Sequence, residues 1–385
     1  MAAHPLQMDS RVDQLYRKKY FPHPVQKPAG TTTQAGSSSA QPAAHQADGS
    51  QPQTLSELIS GFAGLSILPA PPEIEGQPAP TCPISEMPDE ILVHIMRDVA
   101  VADVGDLVRL SLVCRKLALL VAEKQIWRRV CLGTEFGFAG MHYHWQRRIT
   151  WEPLEEEEEA GDGEFVSVEE LERRRRDESL ATTKALLPLM YASSWQKMFR
   201  HRPRIRFNGC YISTVNYVRS GQASAHQTTW NSPIHIVTYF RYLRFFRDGT
   251  VISLRTTTSP AEVVHHLTKE ALDLHRGGAQ AHLPSVVMRD AYRGRWRLSS
   301  LLDTNPGAEL DGAEGDLCIE TEGVGKYIYR LDLTMRSAGK GARNNKLVWR
   351  GFYSYDRLAD DWAEFARNNY KPFFFSRVKS YGIGE

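Results

Sequence analysis

The spacing of apolar side chains changes once along this 385-residue chain, from three-and-four to every second residue. Helices and strands are therefore expected in separate stretches, an α+β arrangement, rather than alternating along a parallel sheet. From Tyr191 onward the period is 2. Tyr292, Gly294, Trp296 and Leu298 alternate with Arg293, Arg295 and Arg297, and Tyr327, Tyr329, Leu331, Leu333 and Met335 alternate with Lys326, Arg330, Asp332, Thr334 and Arg336. One apolar and one polar face read as half-buried strands. Asp248-Gly249, between two further strands, is a hairpin signal. Strands are also expected over 205–218, 317–321, 347–355 and 373–381. That makes about eight, with no long helical crossover, so the pairing is antiparallel; closure into a barrel removes exposed edges.

Ahead of that switch the pattern is helical. Ile91, Leu92, Ile95, Met96 and Val99 mark a first amphipathic helix, with Pro88 in its first turn and Ser85 before it as a cap. Leu107, Leu110, Val113, Cys114 and Leu117 mark a second helix, and Ile126, Trp127 and Val130 a short third. This unit spans 81–132. Before it, 22–80 is rich in Pro, Gly, Ser and Gln and is expected to be a disordered linker. Within the linker, Leu55, Leu58, Ile59, Phe62 and Leu65 share one helix face, so 55–67 is expected to dock on this protein or a partner; its spacing also fits a nuclear export signal. Val12, Leu15 and Tyr16 within 1–21 suggest the end of a helix. The stretch 133–190 reads as a charged linker, with an acidic run at 155–159 and a basic one at 173–176 leading into a charged helix.

Composition excludes several classes. A net charge of +2, from 47 basic and 45 acidic side chains, argues against nucleic acid as a partner. No apolar run reaches the roughly 18 residues of a membrane span. Residues 1–10 lack the basic and apolar regions of a secretion signal. The five cysteines are odd in number, widely spaced and without a C-x-x-C pair, so neither a disulfide framework nor a zinc site is expected, and the compartment is cytoplasmic or nuclear. His142-x-His144 and His265-His266 have no ligands at metal spacing and are expected to lie on the surface or in loops. Gly339-Lys340-Gly341 lacks the rest of a phosphate-binding loop, and no nucleophile elbow occurs. No catalytic residue and no cofactor are expected.

The stretch Ile84-Ser85-Glu86-Met87-Pro88-Asp89-Glu90-Ile91-Leu92-Val93-His94-Ile95-Met96, continued by Leu107, Leu110, Ser111-Leu112-Val113-Cys114-Arg115 and Gln125-Ile126-Trp127, resembles an F-box. Met87-Pro88 stands where the family opens with leucine-proline. Further along, Ser194-Trp195-Gln196-Lys197-Met198-Phe199, the run from Arg202-Pro203-Arg204 to Ile212-Ser213, Tyr242-Leu243-Arg244-Phe245-Phe246-Arg247-Asp248-Gly249 and Phe374-Phe375-Ser376-Arg377-Val378-Lys379-Ser380-Tyr381 resemble the family of F-box only protein nine and its fungal relatives. The glycine-rich tract 336–346 resembles the fungal branch. Those relatives carry a helical tetratricopeptide-like region before the F-box, of which 1–21 would be at most a remnant.

This resemblance implies a small three-helix F-box followed by an antiparallel, barrel-like β domain over 191–385. It also implies binding to the Skp adaptor, and through it to the cullin and RING subunits of a ubiquitin ligase. The matching adaptor-facing positions are Met87, Pro88, Ile91, Leu92, Ile95, Leu107, Leu110, Val113 and Trp127. Elementary physics agrees, since three helices in some 50 residues have more large apolar side chains than so small a bundle can bury. A protein substrate would be read by the barrel, with Lys340, Arg343, Lys346 and Trp296 as candidates for a basic, aromatic rim. The competing expectation is a lipocalin-like barrel holding an apolar ligand, since Gly209-x-Tyr211 and Gly294-x-Trp296 are similar to the opening strand of such barrels. A clear continuous cavity inside the barrel would favour the carrier; a filled barrel with a basic, loop-lined face would favour the receptor.

Overall fold

In a computed structural model, the protein is described over residues 66–67, 81–154, 167–220, 234–276, 284–300, 314–339, 341–366 and 370–384. The expected remnant at 1–21, nearly all of the linker with its 55–65 helix face, the acidic run 155–159 and Lys340 lie outside these residues. All the described residues fall in one unit, Ile59–Glu385.

After a 3-10 turn at Pro83–Glu86 come α1 (Asp89–Ala102), α2 (Val104–Leu110), α3 (Arg115–Val121) and α4 (Lys124–Leu132). Asp89 and Glu90 in the first turn of α1 suit the positive end of the helix dipole. Ser85 does not cap α1. Its Oγ instead donates to the Cys82 carbonyl at 2.6 Å and closes the preceding turn. The single helix expected over Leu107 to Leu117 is two. The Val108 carbonyl accepts from both N–H and Oγ of Ser111, tightening the last turn of α2, and Cys114 is extended at φ −154°. Asp103 caps α2, its Oδ1 accepting from the Gly105 N–H at 2.7 Å. Leu92, Met96, Leu107, Leu120, Ile126 and Trp127 form the buried heart of this unit.

The switch to strands comes later than position 191. Residues Val168–Tyr191 form a long helix, α5, capped by Ser167 and ended by Ala192 in the left-handed region. A further helix, α6 (Trp195–His201), buries Trp195, Met198 and Phe199, spaced three and four apart. About half of the described part of the expected charged linker is this one helix, the charged helix into which the basic run was expected to lead.

Among the described residues nine strands follow: β1 (Gly209–Ser220), β2 (Ile234–Phe245), β3 (Thr250–Thr256), β4 (Ala291–Leu298), β5 (Asp316–Glu322), β6 (Tyr327–Arg336), β7 (Lys346–Asp356), β8 (Asp361–Glu364) and β9 (Phe373–Arg377). Their order is β6-β5-β4-β3-β2-β1-β9-β7, and β7 pairs back onto β6. Eight antiparallel strands therefore close into a barrel, as the sequence led one to expect, with the short β8 appended to the outside of β7. The β2–β3 hairpin turns at Asp248-Gly249, where Gly249 takes φ +84° and an added Cβ would come within 2.8 Å of Gln146. Between β3 and β4, three short helices, α7 (Pro260–Val263), α8 (Lys269–His275) and α9 (Ser285–Met288), cover the outer face of β2 and β3. Those strands are consequently apolar on both faces, with Leu243 and Phe245 inside and Tyr242, Ile252 and Leu254 outside.

Candidate functional site

The helical unit is two-faced. On α1, Leu92 and Met96 point into the core, whereas Ile91 and Ile95, one position earlier, are about half exposed. The α2–α3 connection leaves Leu112 82 % and Val113 67 % exposed, and Ile84, Val108 and Leu119 are exposed as well. Of the nine expected adaptor-facing residues, Pro88, Ile91, Ile95 and Val113 are exposed, and Met87 and Leu110 are half-buried. Leu92 (4 %), Leu107 (0 %) and Trp127 (4 %) are instead core residues, which corrects their placement on the surface. The stripe rule marks which residues are apolar, not which way they face when two sides of a helix are apolar. Ile84 and Leu112, quoted in the F-box-like stretch, and Val108 and Leu119 are not among the expected adaptor-facing residues, because they lie off the helical stripe.

The buried side of the unit is joined to the barrel. The Trp127 ring lies 5.5 Å from that of Phe199 on α6, and the Cys131 thiol donates to the Trp195 carbonyl at 3.3 Å. Burial pushes the Cys131 thiol up to about 12, so it is an inert structural group. The fully buried Arg202 is the junction. Its guanidinium donates to both oxygens of Glu314, to Thr183 Oγ1 of α5 at 2.8 Å and to the Tyr143 hydroxyl at 2.9 Å, and lies 4.5 Å above the Phe138 ring. Arg377 of β9 pairs with Asp103 at 2.6 Å.

The barrel end nearest the helices is filled. Trp296 is fully buried between Phe245, Phe207 and His142, and its Nε1–H donates to the Phe246 carbonyl at 3.0 Å. It is therefore core and not part of a recognition rim, because its strand parity points it inward. Arg343 and Lys346 are both half-buried; the backbone at Arg343 is tied down, its carbonyl accepting from Arg206 at 2.6 Å while Asn344 beside it donates to the Arg202 carbonyl at 2.8 Å, and the Lys346 ammonium lies over Phe374. His142 lies in a loop, as expected, but is half-buried there. Its Nε2–H donates to the Arg247 carbonyl at 2.5 Å. A cavity of about 680 Å³ opens outside the barrel, between α5, the 134–147 segment and the Asp248 turn, with Arg147, Arg176, Glu172 and Glu178 on its wall. Among the described residues no cluster of His, Cys, Asp and Glu could hold a metal ion.

Family models place this geometry. One described as F-box-like matches 84–133, and one described as the F-box only protein C-terminal region matches 184–365. The protein has an F-box and an F-box only C-terminal region. The first match covers the two-faced helical unit. The second runs from α5 to just past β8, leaving out β9, the strand that completes the barrel of this F-box protein. Two curated relatives are fungal proteins: the F-box protein pof7 of Schizosaccharomyces pombe is 26 % identical over 77 % of the sequence. The F-box protein HRT3 of Saccharomyces cerevisiae is 31 % identical over 48 % of it. The sequence spans less than two thirds of either relative, 66 % of the first and 46 % of the second. No solved structure matches.

Proposed function

We propose that this F-box protein is a substrate-recognition subunit of a Skp–cullin–F-box ubiquitin ligase, working in the cytoplasm or nucleus. The carrying observation is the set of exposed apolar side chains, Ile91 and Ile95 on α1 and Leu112 and Val113 in the α2–α3 connection, on a helical unit whose inner face is already packed as core. A Skp adaptor would cover that set, and each aliphatic side chain so buried contributes about 1.5–3 kcal/mol. The adaptor in turn brings the cullin and RING subunits. Catalysis is then proximity alone: the barrel holds a protein near the ubiquitin-charged carrier and raises its effective concentration, with no bond chemistry in this polypeptide. The filled inner end of the barrel, packed by Trp296, Phe245 and Tyr211, speaks for a receptor over a lipocalin-like carrier. Among the described residues no helix is long and apolar enough to cross a membrane.

The test is co-purification of the Skp adaptor with the full-length protein and with an Ile95→Asp, Val113→Asp double variant. Both sites are exposed, so the variant is expected to fold and to lose the adaptor. Undiminished adaptor recovery with the folded variant overturns the proposal.

A further inference from the structure

At the barrel end away from the F-box, the strand register places two arginines inside. Arg241 of β2 stands directly opposite Arg255 of β3, and Arg241 is also the ladder partner of the buried Ser213 on β1. They share the inward face with Leu243, Ser253 and Tyr292, whereas Tyr242 and Leu254 face the outer helices. The Arg241 guanidinium reaches across the barrel to lie 5.3 Å from the Trp349 ring and 4.7 Å from Tyr370, with Tyr239 5.6 Å away. Arg255 is exposed at the same opening.

Like charges opposite one another across a strand pair are destabilising, and aromatic faces offset only part of that cost. Three carboxylates at this end are paired elsewhere: Glu322 with Arg276, Asp356 with Lys326, and Asp290 with Arg289. Among the described residues neither Arg241 nor Arg255 takes part in an ion pair. One inward guanidinium beside Trp349 and Tyr370, with a second arginine exposed at the same opening, matches a planar carboxylate flanked by an apolar or aromatic group. The interior of an eight-stranded barrel is wide enough only for side chains or one small ligand, so a helix does not enter it.

We infer that the distal mouth of the barrel binds a carboxylate of an extended peptide segment, held between Arg241 and Arg255 with its neighbouring side chain on Trp349 and Tyr370. This rests on the receptor reading above and names what its barrel reads. The carboxylate has two sources, an acidic side chain or the terminal carboxylate of a polypeptide.

The full-length protein is titrated by calorimetry and ligand-observed NMR with two peptides. One has a single glutamate beside phenylalanine and both ends capped; the other has no acidic side chain but ends in a free carboxylate on phenylalanine. Each is compared with its neutral counterpart, glutamine or C-terminal amide. At least one acid form is expected to bind about tenfold or more tightly than its neutral form, and the arm that binds names the source. Arg255→Gln, at an exposed position that leaves the fold intact, weakens that binding about tenfold, as does Arg241→Gln. Equal binding of acid and neutral forms, or acid binding unchanged in Arg255→Gln, overturns the inference. So does binding only of a phosphoserine peptide put in place of glutamate. Adaptor recovery is measured on the same Arg255→Gln protein: retained adaptor with no carboxylate binding by either protein removes this inference alone, and loss of adaptor from the unmutated protein removes the receptor reading.

Discussion

The Trp127 indole is tilted against the Phe199 ring at 5.5 Å and donates its Nε1–H to the Val121 carbonyl at 2.7 Å. A residue of the F-box helices is thus packed on the helix that leads into the barrel. Trp127→Ala removes this contact and leaves a cavity, costing about 3–5 kcal/mol. Urea unfolding of the full-length protein measures it. A cost under about 1 kcal/mol would mean that the indole is dispensable to the fold.

Arg202 is fully buried, and Glu314 is its charged partner at 2.6 Å. Removing one member of such a pair strands the other. Glu314→Gln is expected to cost about 3–5 kcal/mol, and a paired Arg202→Met, Glu314→Leu variant less than the sum of its single changes. A double-mutant cycle read by chemical denaturation decides; simple additivity contradicts the coupling.

Asp103 has two tasks, capping α2 and pairing with Arg377, whereas Arg377 has only the pair. Asp103→Ala should therefore cost about 1–2 kcal/mol, and Arg377→Ala about 0–1 kcal/mol, since its side chain is 48 % exposed. Midpoints of thermal unfolding for the two variants give the order, and a larger loss from Arg377→Ala contradicts it.

Burial holds His142 below the ordinary imidazole range, partly countered by its bond to the Arg247 carbonyl. A histidine that folds neutral is matched by an unfolded one that gains a proton below about pH 6.5. Its contribution is therefore full above that pH and is lost as pH falls towards the lowered folded value. Stability measured from pH 7.5 to 5.5 should fall, and His142→Gln should flatten part of that slope while lowering stability at pH 7.5. An identical slope in the variant would falsify this role.

Much of this architecture was written in local pattern. Tyr327 to Met335 alternate because β6 has one face in the barrel, and Asp248-Gly249 turns because the glycine takes a positive φ. The F-box was legible through an ordered series of residue types. Short elements were not: α6 is only seven residues, and β8 is a four-residue strand, Asp361-Trp362-Ala363-Glu364, too brief for a period to register.

What the sequence by itself determined, then, is which residues are apolar, at what period, and hence helices first and an antiparallel barrel after. Tertiary structure decided which apolar residues remain outside. Leu92 and Ile91 are neighbours with the same chemistry, yet one is buried and the other half exposed, because helix packing chooses a side. It also decided that Trp296 belongs to the core and that Arg241 faces Arg255. Strand register brings together residues far apart in sequence, and a one-residue slip would reverse every one of those directions.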